Sequence, residues 1–573
     1  MTEPIPAAVP VDVYFAKSIQ DLEGFPTPVI AVIPDRDNPG WNDFGRNFFA
    51  NLYIRPAEGD PLNFHMRVMF KGRRRSSAVF DEIFAQHGNT CTTNAVEQTF
   101  VTLLPDVEMY RDVIGALGFD VGISALRMMH DATVARTEGN NPELLELIGS
   151  EDFHFGALRV GAAYDALRRG GRYFRPDPPQ PVEELAANFV FSAQLPSAEN
   201  PYTLPFYFKP DPVFRNRIAV LIGRNGVGKT HLLKAIVDSL HNPLERPYGR
   251  QRFMPRLNPS RVIVFSSVPT DPFPQSIGAW RGIDYEYYAV NSQLDNQDNS
   301  LLAALVTCRK ADEMNVFGHK RNKSRMDIIK EALSSIGLWK GLHLPVVPQA
   351  AEERLPHVVL VGEQSYFPIH RSLNEQNSIR LIHQIDWDRS AAILTEHGQV
   401  RRLSSGEHAM MRFAAQAASA VAQGSLILLD EPETHLHPNF ISNLMGILDN
   451  LLQSTGSIAI VATHSAYVAR ETPRNCVHVL TMEGRQIRID PPRIQTFGAT
   501  IDSISQFVFG DLSISHSYQK TLIEWTDRTG RELGIEGILE KYGDQLNSES
   551  LSFIARRLAE PPGDEQVEGE PEA

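Results

Sequence analysis

Short apolar runs alternate with turn-forming residues in the first part of the chain. Four of these runs lie at Val11–Phe15, Val29–Pro34, Phe48–Ile54 and Phe64–Phe70. Runs of this length, separated by clusters of Asp, Asn, Pro, Glu and Gly, predict a small, mostly antiparallel sheet. Apolar residues then recur at helical spacing from Asp106 to Arg169, and a proline-rich stretch follows at 175–181. We therefore predict an N-terminal α+β region over residues 1–180.

Longer apolar runs in the second part of the chain alternate with amphipathic helical patterns. Buried strands are predicted at Val220–Ile222, Leu426–Leu429 and Ile458–Thr463. Apolar faces repeat at helical spacing over His231–Leu240 and Met410–Val421. Alternation of this kind is typical of an α/β fold. No apolar run reaches membrane-spanning length, and no heptad repeat is sustained between positions 269 and 402, so long coiled-coil arms are not expected.

The loop after the first of these buried strands has the spacing of a phosphate-binding loop. Gly223–Thr230 follows the pattern G-x-x-x-x-G-K-T, between a predicted strand and a predicted helix. Gly226 and Gly228 let backbone N–H groups approach phosphate oxygens, and a helix N-terminus favours an anion. Lys229 supplies a positive charge, and Thr230 supplies an oxygen ligand for Mg²⁺. The sequence therefore predicts a triphosphate ligand at this loop.

Two further stretches of the chain carry candidate chemistry. Leu403–Glu407 precedes a helical pattern, and small residues at a helix N-terminus make a second anion site. A predicted strand ends in Asp430 and Glu431, of which the first suits Mg²⁺ coordination and the second suits activation of a water molecule. Another predicted strand ends at His464. Each feature alone also occurs as an ordinary strand or helix end, so their order along the chain decides the interpretation.

The order of these motifs resembles the ATP-binding-cassette (ABC) ATPases over about residues 189–482. The resemblance implies a Walker A loop that binds ATP through Gly223, Asn225, Gly226, Val227, Gly228, Lys229, Thr230 and His231. It implies a signature motif formed by Ser404, Ser405, Gly406 and Glu407. Ser405 and Glu407 stand where the commonest version of this motif has Gly and Gln.

The same resemblance implies the remaining roles at the site. Asp430 is the Walker B carboxylate, which holds Mg²⁺ together with Thr230. Glu431 is the catalytic base, and His464 is the switch histidine that senses the γ-phosphate, with Lys229 completing the catalytic set. In this family the signature motif of one subunit closes over ATP held by the Walker A loop of another. An ATP-dependent head-to-tail homodimer is thus implied, with a higher homo-oligomer as the alternative.

The block Asp430–Pro438 resembles the soluble, non-transport ATPases related to the SMC, RecF and OLD groups, many of which act in DNA maintenance or anti-phage defence. His435 and His437 within this block offer two metal ligands, but a loop packed at the dimer interface is the favoured interpretation, because no further ligand cluster is visible. ABC ATPases usually have a glutamine after the strand that follows the Walker A helix. Here Arg261–Pro269 offers serines, and Gln364 is a substitute candidate.

We predict an α/β fold: an ABC-type P-loop ATPase core with an inserted lobe, an N-terminal α+β region and a disordered acidic C-terminal tail. The core is expected at 181–268 and 401–495, and the inserted lobe at 269–400. A C-terminal helical extension is expected at 496–558. The tail is expected at 559–573, because that stretch is rich in Glu, Asp, Pro and Gly and poor in apolar residues.

The formal net charge of −14 argues against a surface coated uniformly for nucleic acid. A local basic cluster is nevertheless a candidate for DNA or RNA phosphates, and it comprises Arg309, Lys310, Lys320, Arg321, Lys323 and Arg325. A helix beginning near Met326 would place these cations at its N-terminal approach, and a solvated loop is the alternative. A second cluster, Lys71–Arg75, is interpreted as a hairpin turn in preference to a phosphate or acidic-partner site.

The N-terminus lacks the basic and apolar segments of a secretory signal, so a cytoplasmic location without a membrane partner is expected. No intrinsic nuclease is expected, because the chain after Met482 is too short for the metal-binding domain of OLD nucleases, and Asp35 and Asp37 fit a turn. The favoured function is an ATP-switched regulator of a separate effector protein in prokaryotic anti-phage defence or genome surveillance. The alternatives are a RecF-like DNA-repair ATPase and, less favoured, the nucleotide-binding subunit of a transporter.

Overall fold

The computed structural model of the protein describes residues 10–36, 46–158, 161–174, 185, 188–209, 211, 213–241, 252–267, 271–275, 284–289, 300–312, 324–349, 354–434, 436–509, 517–546 and 548–559. Some features named above lie outside these residues, namely the proline-rich stretch 175–181, positions 560–573 of the acidic tail, Asp37, Lys320, Arg321, Lys323 and His435. The chain forms two compact units, residues 1–499 and 500–573.

The first unit begins with a six-stranded sheet. Its strands are β1 (Val13–Ala16), β2 (Val29–Pro34), β3 (Phe49–Arg55), β4 (Leu62–Phe70), β5 (Thr90–Thr92) and β6 (Phe100–Leu103). They lie in the order β5-β1-β2-β3-β4-β6. Only β1 and β2 pair in parallel within this sheet, and the other pairs are antiparallel. The expectation of a mostly antiparallel N-terminal sheet is therefore confirmed.

Helices accompany this sheet, and all but the first of them lie in the range Asp106–Arg169, where the apolar spacing predicts helices. They are α1 (Ser76–His87), α2 (Val107–Leu117), α3 (Phe119–Met128), α4 (Ala132–Glu138), α5 (Pro142–Ile148), α6 (Glu151–Gly156) and α7 (Gly161–Arg169). The side chains of Asp106 and Asp131 accept backbone N–H groups at the starts of α2 and α4, which stabilises those helix ends. Phe15 packs edge-on against Phe80 and Phe100, so an aromatic core joins the sheet to α1.

The next segment supplies strands to two different sheets. Its strands are β7 (Asn188–Ala193), β8 (Tyr202–Tyr207), β9 (Ile218–Gly223), β10 (Arg252–Met254), β11 (Val262–Ser266) and β12 (Tyr285–Ala289). A small antiparallel sheet has the order β10-β7-β8. Helix α8 (Lys229–His241) follows the glycine-rich loop directly, so the strand–loop–helix prediction is confirmed.

A mixed α and β segment follows. Its helices are α9 (Ser300–Asp312), α10 (Arg325–Ser334) and α11 (Glu375–Gln384). Its strands are β13 (Leu342–Val346), β14 (Val359–Val361), β15 (Gln364–Pro368), β16 (Ala392–Leu394) and β17 (Val400–Arg401). These strands form an antiparallel sheet in the order β14-β15-β13-β16-β17. A capping box between Ser324 and Asp327 sets the start of α10, next to the predicted Met326.

The last segment of the first unit completes the central sheet. It contains α12 (Ser405–Ala420), β18 (Leu426–Asp430), α13 (Pro438–Thr455), β19 (Ile458–Thr463), α14 (Ala466–Ala469), β20 (Val477–Glu483) and β21 (Gln486–Asp490). The central sheet has the order β12-β11-β18-β19-β9-β20-β21, and only β21 runs antiparallel to its neighbour. Because β12 is an edge strand of this sheet, the central sheet draws one strand from the range predicted for the inserted lobe.

Three arginines from separate segments meet at the C-terminal end of α12. Arg325 donates to the carbonyl of Ser419 at 3.0 Å, Arg169 donates to the same carbonyl, and Arg261 donates to the carbonyl of Ala420. The last carbonyls of a helix lack partners within the helix and carry the negative end of its dipole, so guanidinium groups suit them. Because Arg169 lies on α7, the N-terminal region contacts the helix that follows the Leu-Ser-Ser-Gly-Glu motif.

Arg261 is also the centre of a buried ion network. Its side chain is 1% exposed, and it lies 2.6 Å from Asp284 and 3.1 Å from Glu286. Arg172, from the N-terminal region, lies 3.9 Å from Asp284. Burial alone would raise the pKa of Asp284, but Arg261 and Arg172 hold it below its usual value. These buried ion pairs join residues 165–174 to β11 and β12.

The second unit is helical in its described residues. It contains α15 (Ile501–Phe509), α16 (Ser517–Trp525), α17 (Arg531–Tyr542) and α18 (Ser548–Ala559). Arg557 pairs with Asp527 at 2.8 Å, which fastens α18 to the segment before α17. Across the described residues of both units, no helix has the length and apolar character needed to span a membrane.

Candidate functional site

The candidate residues lie at one edge of the central sheet. Neighbouring parallel strands align Ser266 of β11 with Asp430 of β18, and Asp430 with Ala462 of β19. On the other side of β19, Thr463 aligns with Ile222 of β9. Carboxyl ends of parallel strands share one edge, where α/β sheets bind their ligands. The glycine-rich loop, the Asp-Glu pair and the strand-end histidine therefore converge, although they are far apart in the sequence.

Lys229 folds back over the glycine-rich loop. Its Nζ donates to the carbonyls of Gly223 at 2.9 Å and Arg224 at 3.1 Å, and the residue is 5% exposed. Burial lowers the pKa of Lys229, against the opposing pull of Glu431 and Asp430. A buried ammonium group held by two carbonyls retains a capacity for anionic oxygens, because an ammonium group has three donors. Phosphate oxygens at the loop would accept the remaining hydrogen bond of the Lys229 ammonium group.

Two glycines of the loop adopt a conformation that side chains disfavour. Gly226 and Gly228 both have φ of +86°. A Cβ atom on Gly228 would also lie 2.8 Å from the Tyr202 hydroxyl, which donates to the carbonyl of Val227 at 2.8 Å. Tyr202 on β8 thus packs against the loop and stabilises its conformation. Sequence motifs did not indicate this residue, because its contact with the loop depends on how the small sheet packs.

The predicted ligand positions Asn225 and His231 are exposed on the loop and on the first turn of α8, while Val227 is buried. The loop therefore presents Asn225 and His231 to solvent.

Thr230 and Asp430 form the candidate metal corner. The Thr230 hydroxyl donates to Asp430 Oδ1 at 3.1 Å. Burial, with Glu431 and Asp271 nearby, raises the pKa of Asp430 to about 7, against the lowering effect of the Thr230 hydrogen bond. A hydroxyl and a carboxylate are the hard oxygen ligands that Mg²⁺ prefers. These oxygen ligands suit a divalent cation, and a cation here would also offset the cost of burying the Asp430 carboxylate.

The backbone of Glu431 is in the left-handed region, with φ of 49°. Its N–H donates to the carbonyl of Ala462 at 2.9 Å, and its own carbonyl accepts a hydrogen bond from Ser267 Oγ. Non-glycine residues occupy this region at a cost and cluster at functional sites. Ser267 therefore bonds to the backbone of Glu431, and it lies at the position where ABC ATPases usually have a glutamine. Gln364 lies instead in the separate five-stranded sheet, where it accepts a hydrogen bond from Tyr366 at 2.5 Å.

His464 lies between two carboxylates. Its Nδ1 is 3.5 Å from Glu431 Oε1 and 3.4 Å from Glu433 Oε1. The His464 side chain is 45% exposed, whereas the Glu433 side chain is 6% exposed. The structure therefore brings the predicted base and the predicted switch histidine together, and adds Glu433, which sequence analysis did not single out.

The Leu-Ser-Ser-Gly-Glu motif forms the N-terminus of α12. Ser404 and Glu407 make a capping box: the Ser404 hydroxyl accepts from the Glu407 N–H at 3.3 Å, and the Glu407 carboxylate accepts from the Ser404 N–H at 2.9 Å. Arg401 pairs with Glu407 at 2.5 Å. Ser404 and Ser405 are exposed, while Gly406 is buried. The motif thus exposes two serines at a helix N-terminus, and the Ser404 hydroxyl is bonded within the capping box, where it also donates to the Glu407 carboxylate at 3.0 Å.

The basic cluster proposed for nucleic acid is corrected at two positions. Lys310 and Arg325 are 2% and 8% exposed, and Arg325 is bound to the C-terminal carbonyls of α12. Arg309 donates to the carbonyls of Ile369 and Arg371 at 3.0 and 3.1 Å. Burial removes Lys310 and Arg325 from an exposed cluster, whereas Arg309 is only partly buried, and phosphate binding at Arg309 stays a prediction. The other three members, Lys320, Arg321 and Lys323, lie outside the described residues.

Other candidates also have local structural roles. Lys71 pairs with Glu143 at 3.0 Å and Arg73 with Glu82 at 2.9 Å, in a turn that leads from β4 into α1 rather than into a hairpin. His437 caps α13, because its Nδ1 accepts from the N–H of Asn439 at 3.4 Å.

Comparison with known proteins gives an independent view of the chain. A family model described as "AAA domain, putative AbiEii toxin, Type IV TA system" matches residues 283–470. The chain is 27% identical over 540 residues to Protein ea59 of Escherichia phage lambda, across 90% of this chain and 93% of that protein. The family model spans the motif at α12, the Asp-Glu pair and His464.

Solved structures include similar chains as well. The SMC head domain from Thermotoga maritima is 14% identical with a TM-score of 0.27, covering 54% of this chain and 100% of that one. UvrA2 from Deinococcus radiodurans is 16% identical with a TM-score of 0.27, covering 62% of this chain and 42% of that one.

Proposed function

We propose that the core of this chain is a P-loop ATPase of the ABC type, similar to the soluble SMC and RecF group, and that it hydrolyses Mg-ATP at the edge of its central sheet. The observation that carries the proposal is the convergence of Lys229, Thr230, Asp430 and Glu431 on one edge of parallel strands. This geometry provides donors for phosphate oxygens next to hard oxygen ligands and a carboxylate base.

Each residue of the site has a distinct role in this proposal. The loop N–H groups of residues 223–230 and Lys229 bind the phosphates, while Thr230 and Asp430 hold Mg²⁺. When bound, Mg²⁺ supplies positive charge that offsets the charge on the phosphate oxygens. Glu431 orients the attacking water and accepts its proton, and the contact between His464 and Glu431 keeps the histidine beside that water.

We further propose that the complete site is shared between two copies of the chain. Ser404 and Ser405 are exposed at the N-terminus of α12, where a helix favours an anion. A second copy that offers its ATP phosphates to this helix end would meet the Ser405 hydroxyl, while the Ser404 hydroxyl stays bonded within the capping box. ATP would then join two chains head to tail, and hydrolysis would release them.

The test uses the purified chain and its Glu431→Gln variant. We expect the wild-type protein to hydrolyse Mg-ATP, and the variant to bind ATP while hydrolysing it about 100-fold more slowly. Light scattering after size exclusion should show the variant as a dimer with Mg-ATP and a monomer without it. Glu483→Gln, at an exposed position on β20, is the matched control and should behave as wild type. An unchanged turnover in Glu431→Gln would reject the base assignment.

For the biological role, we propose that the ATP state controls a separate effector protein, in prokaryotic anti-phage defence or genome surveillance. The burial of Lys310 and Arg325 favours this role over direct action on DNA, because it removes two members of the candidate phosphate-binding cluster. Purification from the native host, with and without added nuclease, distinguishes the two roles. Co-purification of a second polypeptide that survives nuclease supports the effector, whereas ATP-strengthened, salt-sensitive DNA binding by the purified chain supports the RecF-like role.

A further inference from the structure

Glu433 is a buried carboxylate that the roles described so far do not use. It follows Glu431 in the loop after β18, and its carbonyl accepts from the N–H of Leu436 at 2.9 Å, which closes a turn. The residue is 8% exposed. A carboxylate is rarely buried unless its oxygens have partners, because removing the charge from water is costly. The contacts of each oxygen therefore indicate what Glu433 does.

One oxygen of Glu433 gathers three contacts from the end of β19. Oε1 accepts a hydrogen bond from the Thr463 hydroxyl and another from the His464 N–H at 3.1 Å. The same oxygen lies 3.4 Å from His464 Nδ1. Glu433 thus contacts both the backbone and the imidazole of His464, which fixes where the residue lies and which way its ring faces.

The other oxygen of Glu433 makes no hydrogen bond to any of the described residues, and it is buried. Burial raises the pKa of Glu433, against the lowering effect of Thr463 and His464. A group that only fastened a loop would be more stable with both oxygens bonded or with an apolar side chain in its place. The uncompensated oxygen indicates that Glu433 costs stability at this position, which points to a role at the site.

Two carboxylates lie near one nitrogen of the His464 imidazole. Glu433, whose side chain is 6% exposed, lies 3.4 Å from Nδ1, and Glu431, whose side chain is 33% exposed, lies 3.5 Å from the same atom. A histidine that is 45% exposed would otherwise turn toward solvent, since water satisfies its nitrogens. With the Glu433 contact in place, the ring stays beside the carboxylate proposed to activate water.

We propose that Glu433 is a positioning residue for ATP hydrolysis, which acts by holding the backbone and the imidazole of His464 against Glu431. The inference rests on the proposed function, since it requires the site to hydrolyse Mg-ATP. It assigns to the Asp-Glu-Pro-Glu block a second carboxylate whose effect on turnover passes through His464.

A double-mutant cycle tests this route. The variants are Glu433→Ala, His464→Ala and the two combined, assayed for steady-state Mg-ATP hydrolysis and for binding of a fluorescent ATP analogue. We expect Glu433→Ala to lower kcat by about tenfold or more and to leave nucleotide affinity within about threefold. The kcat of the combined variant should lie within about twofold of that of His464→Ala, because Glu433 acts only through the histidine. Losses that multiply in the combined variant would overturn the proposal.

The conservative variant separates positioning from loss of fold. Glu433→Gln keeps an oxygen that can accept from Thr463 and from the His464 N–H, so its kcat should fall by only about threefold. If Glu433→Ala does not fold, Glu433→Gln with and without His464→Ala provides the same cycle. Glu483→Ala, at an exposed position, is the control and should retain wild-type turnover.

The same assays distinguish the two levels of inference. A wild-type protein without ATPase activity would reject the proposed function itself. An active wild-type protein with a slow His464→Ala variant and a Glu433→Ala variant within about twofold of wild type would reject only the positioning role.

Discussion

Thr230 donates a hydrogen bond to Asp430 over 3.1 Å, although 200 positions separate the two residues in the chain. The contact arises because β19 alone lies between β9 and β18 in the central sheet, so the loop after β9 and the end of β18 share one edge. The candidate metal corner is therefore assembled by the sheet itself. Thr230 and Asp430 already lie together in the chain by itself, and this preorganisation supports nucleotide binding by the isolated chain.

Lys229→Ala should abolish nucleotide binding. The variant removes the ammonium group that lies over the loop carbonyls of Gly223 and Arg224, and with it the positive charge closest to the phosphates. We expect affinity for a fluorescent ATP analogue to fall by about 100-fold or more. Lys234→Ala is the control, because Lys234 lies on the same helix but pairs with Asp238. Affinity of Lys229→Ala within a few-fold of wild type would show that the loop binds something other than a triphosphate.

Some features of the site depend on residues close together in the sequence, and others depend on residues far apart. The strand–loop–helix around Lys229 and the strands that lead to Asp430 and His464 were predictable, because each depends on apolar spacing within a short window. Tyr202 was missed, and the serines within Arg261–Pro269 were noted without a contact, because the contacts of Tyr202 and Ser267 with the site depend on the packing of distant strands. No local pattern distinguishes such residues from ordinary strand and loop positions.

For the cations Lys310 of α9 and Arg325 of α10, the sequence indicated exposed side chains, but the structure shows buried ones. Arg325 and Lys310 look like exposed charges in the sequence, since charged residues usually are exposed. In the structure, the unpaired carbonyls at the end of α12 provide a buried partner for Arg325. A helix end that needs donors is visible only once the helices are packed, so charge clusters predict exposure poorly at such ends.

Ser404→Arg should block hydrolysis without weakening ATP binding to the monomer. Ser404 is exposed at the N-terminus of α12, and a bulky cation there would obstruct a second copy that approaches with its ATP. We expect turnover to fall by about 100-fold while monomer affinity for ATP stays within about threefold.

The matched control for Ser404→Arg is Ser324→Arg. Ser324 makes the same kind of capping box at the start of α10, so both variants lose a cap worth about 1 kcal/mol. Only the change at Ser404 should affect turnover. If both variants lose turnover equally, the effect comes from helix destabilisation and the shared-site proposal fails.

Arg261→Met should destabilise the first unit strongly. Arg261 is buried against Asp284 and Glu286, and its loss leaves two carboxylates without their main partner. Breaking a buried pair in this way costs about 3–5 kcal/mol. Urea unfolding followed by circular dichroism measures the change. Arg488→Met provides the comparison, since Arg488 is 58% exposed and its pairs with Glu483 and Asp490 should contribute less than about 1 kcal/mol.

The buried His478 makes the free energy of unfolding depend on pH. Burial on β20, beside the ring of Phe206, lowers the pKa of His478 to about 4 from an ordinary value near 6.5. The unfolded chain therefore binds this proton more readily than the folded chain. The contribution of neutral His478 is complete above pH 6.5 and is lost progressively as the pH falls toward 4, by up to about 3 kcal/mol.

His478→Gln should flatten this part of the pH dependence, because glutamine has no proton to gain. Calorimetric melting of both proteins at pH 7.5, 6.0 and 5.0 measures the effect, and the difference between them isolates His478 from other titrating groups. We expect the wild-type melting temperature to fall more steeply than that of the variant below pH 6.5. Parallel curves for the two proteins would show that His478 is protonated without cost, and hence that the end of β20 next to β9 opens to water in acid.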